Sequence, residues 1–381
     1  MAKWPLIERI KAHGLALGFD LVGISSVQAP LHGAAFAEWL RRELHGEMAY
    51  MARTAHQRLH PGQLVPSARS IVSVALNYNT PFARHAGNRE LRGWISRYAW
   101  GDDYHEVMQA KLGHLLAFVR AEAREEVEGR VFVDAGPVLD RESAARAGLG
   151  WFGKNTNLLS MKIGSFFVLG ELFLSLPLPP DRPVRDRCGQ CRLCLDACPT
   201  NAFVGPYVLD ARKCISYLTI ELKGPIPRGL RPLMGTHIFG CDICQDVCPY
   251  NTKCRPTREA AFQPRTGLLA PELIPLLQLT EGEFKARFRV SPILRAKRRG
   301  FLRNVCVALG NLGRVEAVSA LAQALANDPE PLVRAHAAWA LGRIGGPDAL
   351  APLRDAQGRE NALEVSEEVR VALGSGKPIS A

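Results

Sequence analysis

The chain of 381 residues has no long uninterrupted apolar run. Its most apolar stretch, IGSFFVLGELFLSLPLP from Ile163, is broken by Glu171 and by prolines, so it reads as buried strand and not as a membrane span. The N-terminal MAKWPLIERIKAHG likewise lacks the apolar core of a secretory leader. A reducing cytoplasm is therefore the expected location, no membrane partner is expected, and a disulfide framework is excluded as the reason for ten cysteines. Acidic residues are scarce, 37 against 48 Lys plus Arg, for a formal charge of +11. That balance points to a polyanionic partner. With 47% hydrophobic residues the chain can bury the cores of two or three domains.

A phosphate-binding loop is also missing, although one segment imitates it. GLGWFGKNT (Gly148–Thr156) satisfies both G-x-G-x-x-G and G-x-x-x-x-G-K. The hydroxyl that a magnesium-nucleotide site needs after the lysine is replaced by Asn155, and the following LLSMKIGSFFVL is β-like, so no helix N-terminus receives a phosphate. A tight glycine loop that brings backbone close to some other cofactor is the expectation.

What is present is cysteine at telling intervals. CGQCRLCLDACPT carries Cys188, Cys191, Cys194 and Cys198 in the spacing C-x2-C-x2-C-x3-C-P. This is the bacterial ferredoxin run, in which three thiolates hold one [4Fe–4S] cluster and the fourth reaches to a second. Zinc sites favour separated pairs instead. The second cluster requires a second run, and CDICQDVCPYN supplies Cys241, Cys244 and Cys248, with Ile238 where an opening cysteine would stand. Crossing assigns Cys188, Cys191, Cys194 and Cys248 to one cluster, and Cys198, Cys241 and Cys244 to the other. Cys214 and Cys254 both remain candidates for the eighth ligand, while Cys306 lies far off in a helical region.

The organisation around these motifs is a multidomain α/β plus α chain. Residues 1–178 read as mixed α/β: AFAEWLRREL and DYHEVMQAKLGHLLAFVRAEAREEV have helical spacing, while SIVSVALNY, RVFVD and SFFVLGELFLSL are strand-like. The proline-rich LPLPPDRPVRD marks a boundary, and 179–258 forms a ferredoxin-like domain. In 259–381 the triplet Ala-Leu-Gly recurs at Ala308, Ala340 and a degraded third copy at Ala372, a step of 32 residues, which predicts stacked HEAT-like helical pairs. Before them, FKARFRVSPILRAKRRGFLR carries Lys285, Arg287, Arg289, Arg295, Lys297, Arg298, Arg299 and Arg303 with no acidic residue. A solvated helix face would normally mix signs, so nucleic-acid contact is expected here, with Arg295, Lys297, Arg298 and Arg299 as phosphate ligands. Finally, RVFVDAGPVLDRESAARAGLG places a carboxylate, Asp134, at a strand end, with Arg141 and Glu142 opening a helix. Such a carboxylate serves either proton transfer or the turn itself.

Taken in order, SRYAWGDDYH, FVDAGPVLDRESAARAGLGWFGKNTNLL, GSFFVLGEL, the two cysteine runs, RKCISYLTIE and the helical repeats resemble the cobalamin-dependent epoxyqueuosine reductases over nearly the whole chain. His60 and Tyr250 depart from that pattern without touching a cluster ligand. The resemblance implies an N-terminal cobalamin-binding domain, two [4Fe–4S] clusters fed by an external one-electron donor, and tRNA carrying epoxyqueuosine in its anticodon loop as substrate; a monomer is expected. It implies Cys214 as the eighth ligand, Asp134 as proton donor with Tyr104 assisting, and cobalamin contacts from Arg58, Arg97, Asp134, Asn155, Asn157, Ser216 and Asp242. No D-x-H-x-x-G motif is present, so no histidine is expected on cobalt. For Asp134 to hold a proton near neutral pH, burial in VFVDAGPVL is expected.

Overall fold

The structure, a computed structural model, describes residues 5–80 and 90–374. The first residues of the N-terminal segment and the end of the third repeat copy, Ser375 and Gly376, lie outside them. The chain forms two compact units, each assembled from separate stretches: 5–80, 101–210 and 242–263 in the first, 90–100, 211–241 and 264–374 in the second. The segment 179–258 is therefore divided, with 211–241 in the second unit.

The first unit is built on a four-stranded antiparallel sheet of β1 (Leu21–Ser26), β2 (Ser70–Asn77), β3 (Gly129–Phe132) and β4 (Phe167–Leu174), in the order β1-β2-β4-β3. Both central strands, β2 and β4, are buried almost throughout, which explains why they read as continuous apolar runs. Helix α1 (Leu6–Ala16) packs against α2 (Tyr104–Glu122), which lies across one face of the sheet. Asp103 caps α2 by accepting the His105 amide at 3.0 Å, and Met108, Leu112, Leu115 and Val119 recur at helical spacing on its buried side. Helix α3 (Asp140–Arg146) packs against β1, β2 and β4.

Side chains alternate across a strand, and this fixes the position of one charged residue. A Cβ on Gly170 would meet Leu112 and Met108 of α2, so the next residue, Glu171, faces the opposite side, toward α3. In register with it stand Ser73 on β2 and Phe132 on β3.

In the second unit the repeat helices Lys297–Leu312, Val318–Asn327, Pro331–Ile344, Pro347–Gln357 and Leu363–Gly374 pack in succession. The Ala-Leu-Gly period has a steric cause. A Cβ on Gly310 would lie 2.9 Å from the Cα of Ala340, and one on Gly342 would lie 2.7 Å from the Cβ of Ala372. Each triplet is thus the point where one repeat helix closes on the next.

The basic arm divides in a way that the sequence did not announce. Arg298 is not a surface phosphate ligand: it is buried, donating to the Leu279 carbonyl at 2.6 Å and to Asp328 at 2.5 and 3.3 Å. Arg303 is fully buried on the carbonyls of Leu218, Leu222 and Gly224. Arg295 is paired with Glu221 at 2.5 Å. Helix Lys297–Leu312 is buried at Arg298 and at every residue from Gly300 to Gly310, so Arg298 and Arg303 are enclosed whatever their charge. Arg287, Arg289, Lys297 and Arg299 remain exposed.

Removal of one partner from a buried ion pair strands the other, so Arg298→Ala is expected to destabilise the protein by about 3–5 kcal/mol. Arg299→Ala should stay within about 0.5 kcal/mol of the parent. Denaturant unfolding followed by circular dichroism distinguishes the two, and equal losses would contradict the division of the arm.

Candidate active site and cluster site

Strand β3 ends at Phe132, two residues before the Asp134 that the sequence placed at the strand end. Asp134 adopts φ +48°, in the left-handed region that non-glycine residues rarely enter. Its Oδ2 accepts a hydrogen bond from the Tyr104 hydroxyl, projected from the first turn of α2, and His105 Nε2 lies 3.9 Å away. Tyr104 and Asp134 thus meet as expected. The expected burial does not hold: Tyr104 is buried, but the Asp134 side chain is 63% exposed. Its loop has left the sheet and turns outward before α3.

Arg58 sets that turn. Its guanidinium donates to the Gly136 carbonyl at 3.2 Å, to the Val138 carbonyl and, through Nε, to Thr54 Oγ1 at 3.0 Å. Arg58 is buried and directs all three bonds into protein, so it positions the 134–138 loop rather than offering its charge outward. Arg141, which donates to the Thr156 carbonyl, is crowded by protein in a way that opposes its charge although its tip meets solvent.

Behind the loop lie two carboxyls that sequence reasoning passed over. Glu171 is fully buried, and neither of its oxygens has a donor among the described residues. Asp140, the first residue of α3, has its Oδ1 sealed from solvent and equally without a donor. Each faces the other. Burial pushes both carboxyls above their ordinary range, Glu171 strongly, and the nearby Asp134 charge adds to this. The interaction between them favours a neutral Glu171 donating to an ionised Asp140. The available signal was Glu171 itself, a charge in the middle of the most apolar run.

The glycine loop packs closely against neighbouring backbone. Its strands Trp151–Phe152 and Leu158–Leu159 form a small hairpin with no helix after it. A Cβ on Gly150 would lie 2.1 Å from the Leu159 carbonyl, and one on Gly148 would lie 2.7 Å from that of Arg182. Here the glycines let backbone approach backbone. Lys154, where a nucleotide-binding lysine would stand, instead donates to the Gly189 and Cys191 carbonyls at 2.6 and 2.9 Å. It pins the first cysteine loop, a role hidden by its resemblance to a phosphate ligand.

The crossing of thiols is realised in the first unit. Short helices Leu193–Asp196 and Ile243–Asp246 pack together, and Cys188, Cys191, Cys194 and Cys248 line one cavity of about 150 Å³ with Lys154, Arg187 and Tyr250. Cys248 and Cys188 also pack against Trp151 and Leu159 of the hairpin. Burial, then the neighbouring Cys248, Cys188 and Cys191, raises the Cys194 thiol to about 11. Among the described residues no group of three or more His, Cys, Asp or Glu could hold a metal ion, whereas these thiols surround a space. That arrangement and soft donor set fit a [4Fe–4S] cluster. A wider cavity of about 430 Å³, lined by Lys11, Gly150, Trp151 and Lys162 among others, contains none of the predicted site residues.

Of the second set, Cys198 accepts the Ala202 amide at 3.4 Å, and Cys244 accepts from Asn157 Nδ2 at 3.8 Å. Asn155 is buried and donates to the Cys244 carbonyl at 3.3 Å. Both asparagines are thereby turned to a cysteine segment. Asp242 is fully buried beside them in sequence, at the start of helix Ile243–Asp246. Cys214, Cys241, Arg97 and Ser216 belong to the second unit, Arg97 in a 3-10 turn and Ser216 on helix Ile215–Ile220. Cys254 donates its thiol to the Tyr250 carbonyl at 2.9 Å, beneath Gly164. For cobalamin, the exposed Asp134 carboxyl, bonded by the buried Tyr104, and the exposed Arg141 are polar groups that would suit an amide-fringed macrocycle.

Comparisons with known proteins agree with this layout. The family model described as "4Fe-4S double cluster binding domain" matches residues 187–251, "Epoxyqueuosine reductase QueG, DUF1730" matches 58–135, and "HEAT repeats" matches 291–374. An epoxyqueuosine reductase of Pseudomonas aeruginosa is 47% identical over 89% of this chain and 95% of its own length. The Escherichia coli K12 enzyme is 43% identical over 88% of this chain and 89% of its own. A crystal structure of an epoxyqueuosine reductase with an epoxyqueuosine-modified tRNA-Tyr stem loop superposes with a TM-score of 0.89 at 32% identity, covering 97% of this chain and 98% of that one. With this identity across nearly its full length, the chain belongs to the epoxyqueuosine reductase family.

Proposed function

We propose that the protein reduces epoxyqueuosine to queuosine in the anticodon loop of cytoplasmic tRNA, with cobalamin and two [4Fe–4S] clusters as its cofactors. The observation that carries this reading is the convergence of Cys188, Cys191 and Cys194 with Cys248 in the unit that also holds the Tyr104–Asp134 pair. When bound, the clusters would supply single electrons from an external donor, and the cobalamin would supply a reduced cobalt nucleophile. Asp134 delivers a proton to the epoxide oxygen as the C–O bond opens, because an alkoxide is a poor leaving group. Tyr104, donating to Asp134 Oδ2, directs the other carboxyl oxygen toward substrate. Arg58 holds the loop that carries Asp134, while Asn157 lends a hydrogen bond to a ligand sulfur of the second cluster. Cys214 is its fourth ligand and the eighth overall; the thiol of Cys254, engaged by the Tyr250 carbonyl, favours this assignment. Arg97, Ser216 and Asp242 are proposed cobalamin contacts.

Asp134→Asn keeps shape but delivers no proton, and a general acid contributes about 10²–10⁴-fold. The variant is expected to retain iron, cobalamin and tRNA affinity while losing at least about 100-fold in single-turnover conversion, read by nucleoside mass spectrometry. Near-normal conversion by a fully loaded variant would remove the acid role. Cys214→Ala should lose one cluster's iron and Cys254→Ala none; iron loss confined to the latter would reverse the assignment. For tRNA, replacing Lys297 and Arg299 by Ala should weaken modified and unmodified stem loops alike and make binding less salt-dependent, since phosphate contacts carry no base information. An unchanged salt slope would place the tRNA elsewhere.

A further inference from the structure

Removing an epoxide oxygen as water, with two electrons and two protons, leaves an alkene. One carboxyl at the substrate holds one proton. The first goes to the ring oxygen as its C–O bond breaks, and leaves Asp134 ionised. The second goes to the resulting hydroxyl as the remaining C–O bond breaks and water departs. Asp134 therefore has to be recharged within the reaction, or a second acid has to act.

The structure holds a group suited to recharge it. Phe132, the last residue of β3, lies in register with Glu171, and Asp134 follows two residues later. Asp140, at the head of α3, closes the other end of the same loop, whose middle is held by Arg58. Buried carboxyl oxygens are hydrogen-bonded as a rule, and those of Glu171, without a donor among the described residues, stand against Asp140. Two carboxyls can bond one another only when they share a proton. The charged groups around the pair are few: Asp134 acts on both members, Arg58 on Asp140 from helix Ala55–Leu59, and Arg141 on Asp140 and Asp134 from α3 itself. Ser73 contributes a neutral hydroxyl with no other partner.

We propose that Asp140 and Glu171 form a carboxyl pair holding one proton, which returns a proton to Asp134 after Asp134 has protonated the opening epoxide. The pair then recovers its own proton from solvent once product leaves. The two electrons come from the external one-electron donor, so nothing else is consumed. This rests on Asp134 being the proton donor. A purely structural pair would change stability when altered and leave the order of proton delivery untouched.

The first test needs no cofactor or substrate. An infrared difference spectrum of the full-length protein against Glu171→Gln at pH 7 should show a protonated carboxylic acid that only the wild type holds. Stability follows the same proton. Because the folded state keeps a proton that the unfolded chain releases above about pH 4.3, wild-type stability declines as pH rises from there toward the raised folded value. The Gln variant escapes that decline and should melt higher than wild type at pH 8 but not at pH 4.5.

The second test uses loaded enzyme and an epoxyqueuosine-modified stem loop in single turnover. In Glu171→Gln, ring opening should stay within about threefold of wild type while alkene formation slows at least about tenfold, and more so with rising pH. Asp140→Asn should behave likewise and supplies the test should the Gln variant fail to load. If Asp134→Asn is inactive but both variants match wild type at every pH, the pair has no part in proton supply and the role of Asp134 stands. If Asp134→Asn turns over normally, the role of Asp134 falls first. Absence of the infrared band in wild type overturns the pair directly.

Discussion

A carboxyl at the centre of an antiparallel sheet is the constraint around which the first unit is arranged. Glu171 sits on a strand flanked on both sides by other strands, and its side chain is fully buried. An ionised carboxylate in such a place would cost several kcal/mol, and the group stays neutral instead. Its proton then needs an acceptor, which Asp140 supplies from the head of α3. That helix is placed by the sheet, and the loop leading into it carries Asp134. One buried proton thus ties the strand, the helix and the loop together.

Arg58 belongs to the same arrangement. It reaches the 136–138 carbonyls from a short helix far earlier in the chain, and its charge stands opposite Asp140. The loop it holds has a residue at positive φ, and that backbone is maintained because the guanidinium fixes the residues after it. A residue expected to touch the cofactor thus holds the loop that carries Asp134.

The legible parts of the sequence were those whose chemistry dictates spacing. Cluster ligands must stand at set intervals, so the cysteine runs declared both the clusters and the crossing that brings Cys248 to Cys188. The repeat was legible because close helix contact demands small residues at one period, as Gly310 and Gly342 show. Residues whose roles depend on which way they face were illegible. Arg298 and Arg299 are adjacent and identical, yet one is buried on Asp328 and the other lies in solvent. Lys154 and the glycines before it matched a phosphate loop letter by letter, but a following strand in place of a helix changed what each atom meets.

The contrast between Asp134 and Glu171 shows why proton chemistry was the hardest part to read. An acid that protonates substrate, the role proposed for Asp134, has to be accessible to it, and the Asp134 side chain is 63% exposed. An acid that keeps its proton near neutral pH has to be desolvated, and accessibility works against that. A single residue can satisfy both demands only while ligand covers it. Two groups in series, as proposed here, avoid the conflict, because the exposed one transfers and the buried one holds the proton until it is needed. The sequence VFVDAGPVLD places Asp134 and Asp140 six residues apart and gives no sign that they differ in burial. What separates them is Glu171, more than thirty residues away in the chain and brought to Asp140 only by the register of β3 against β4.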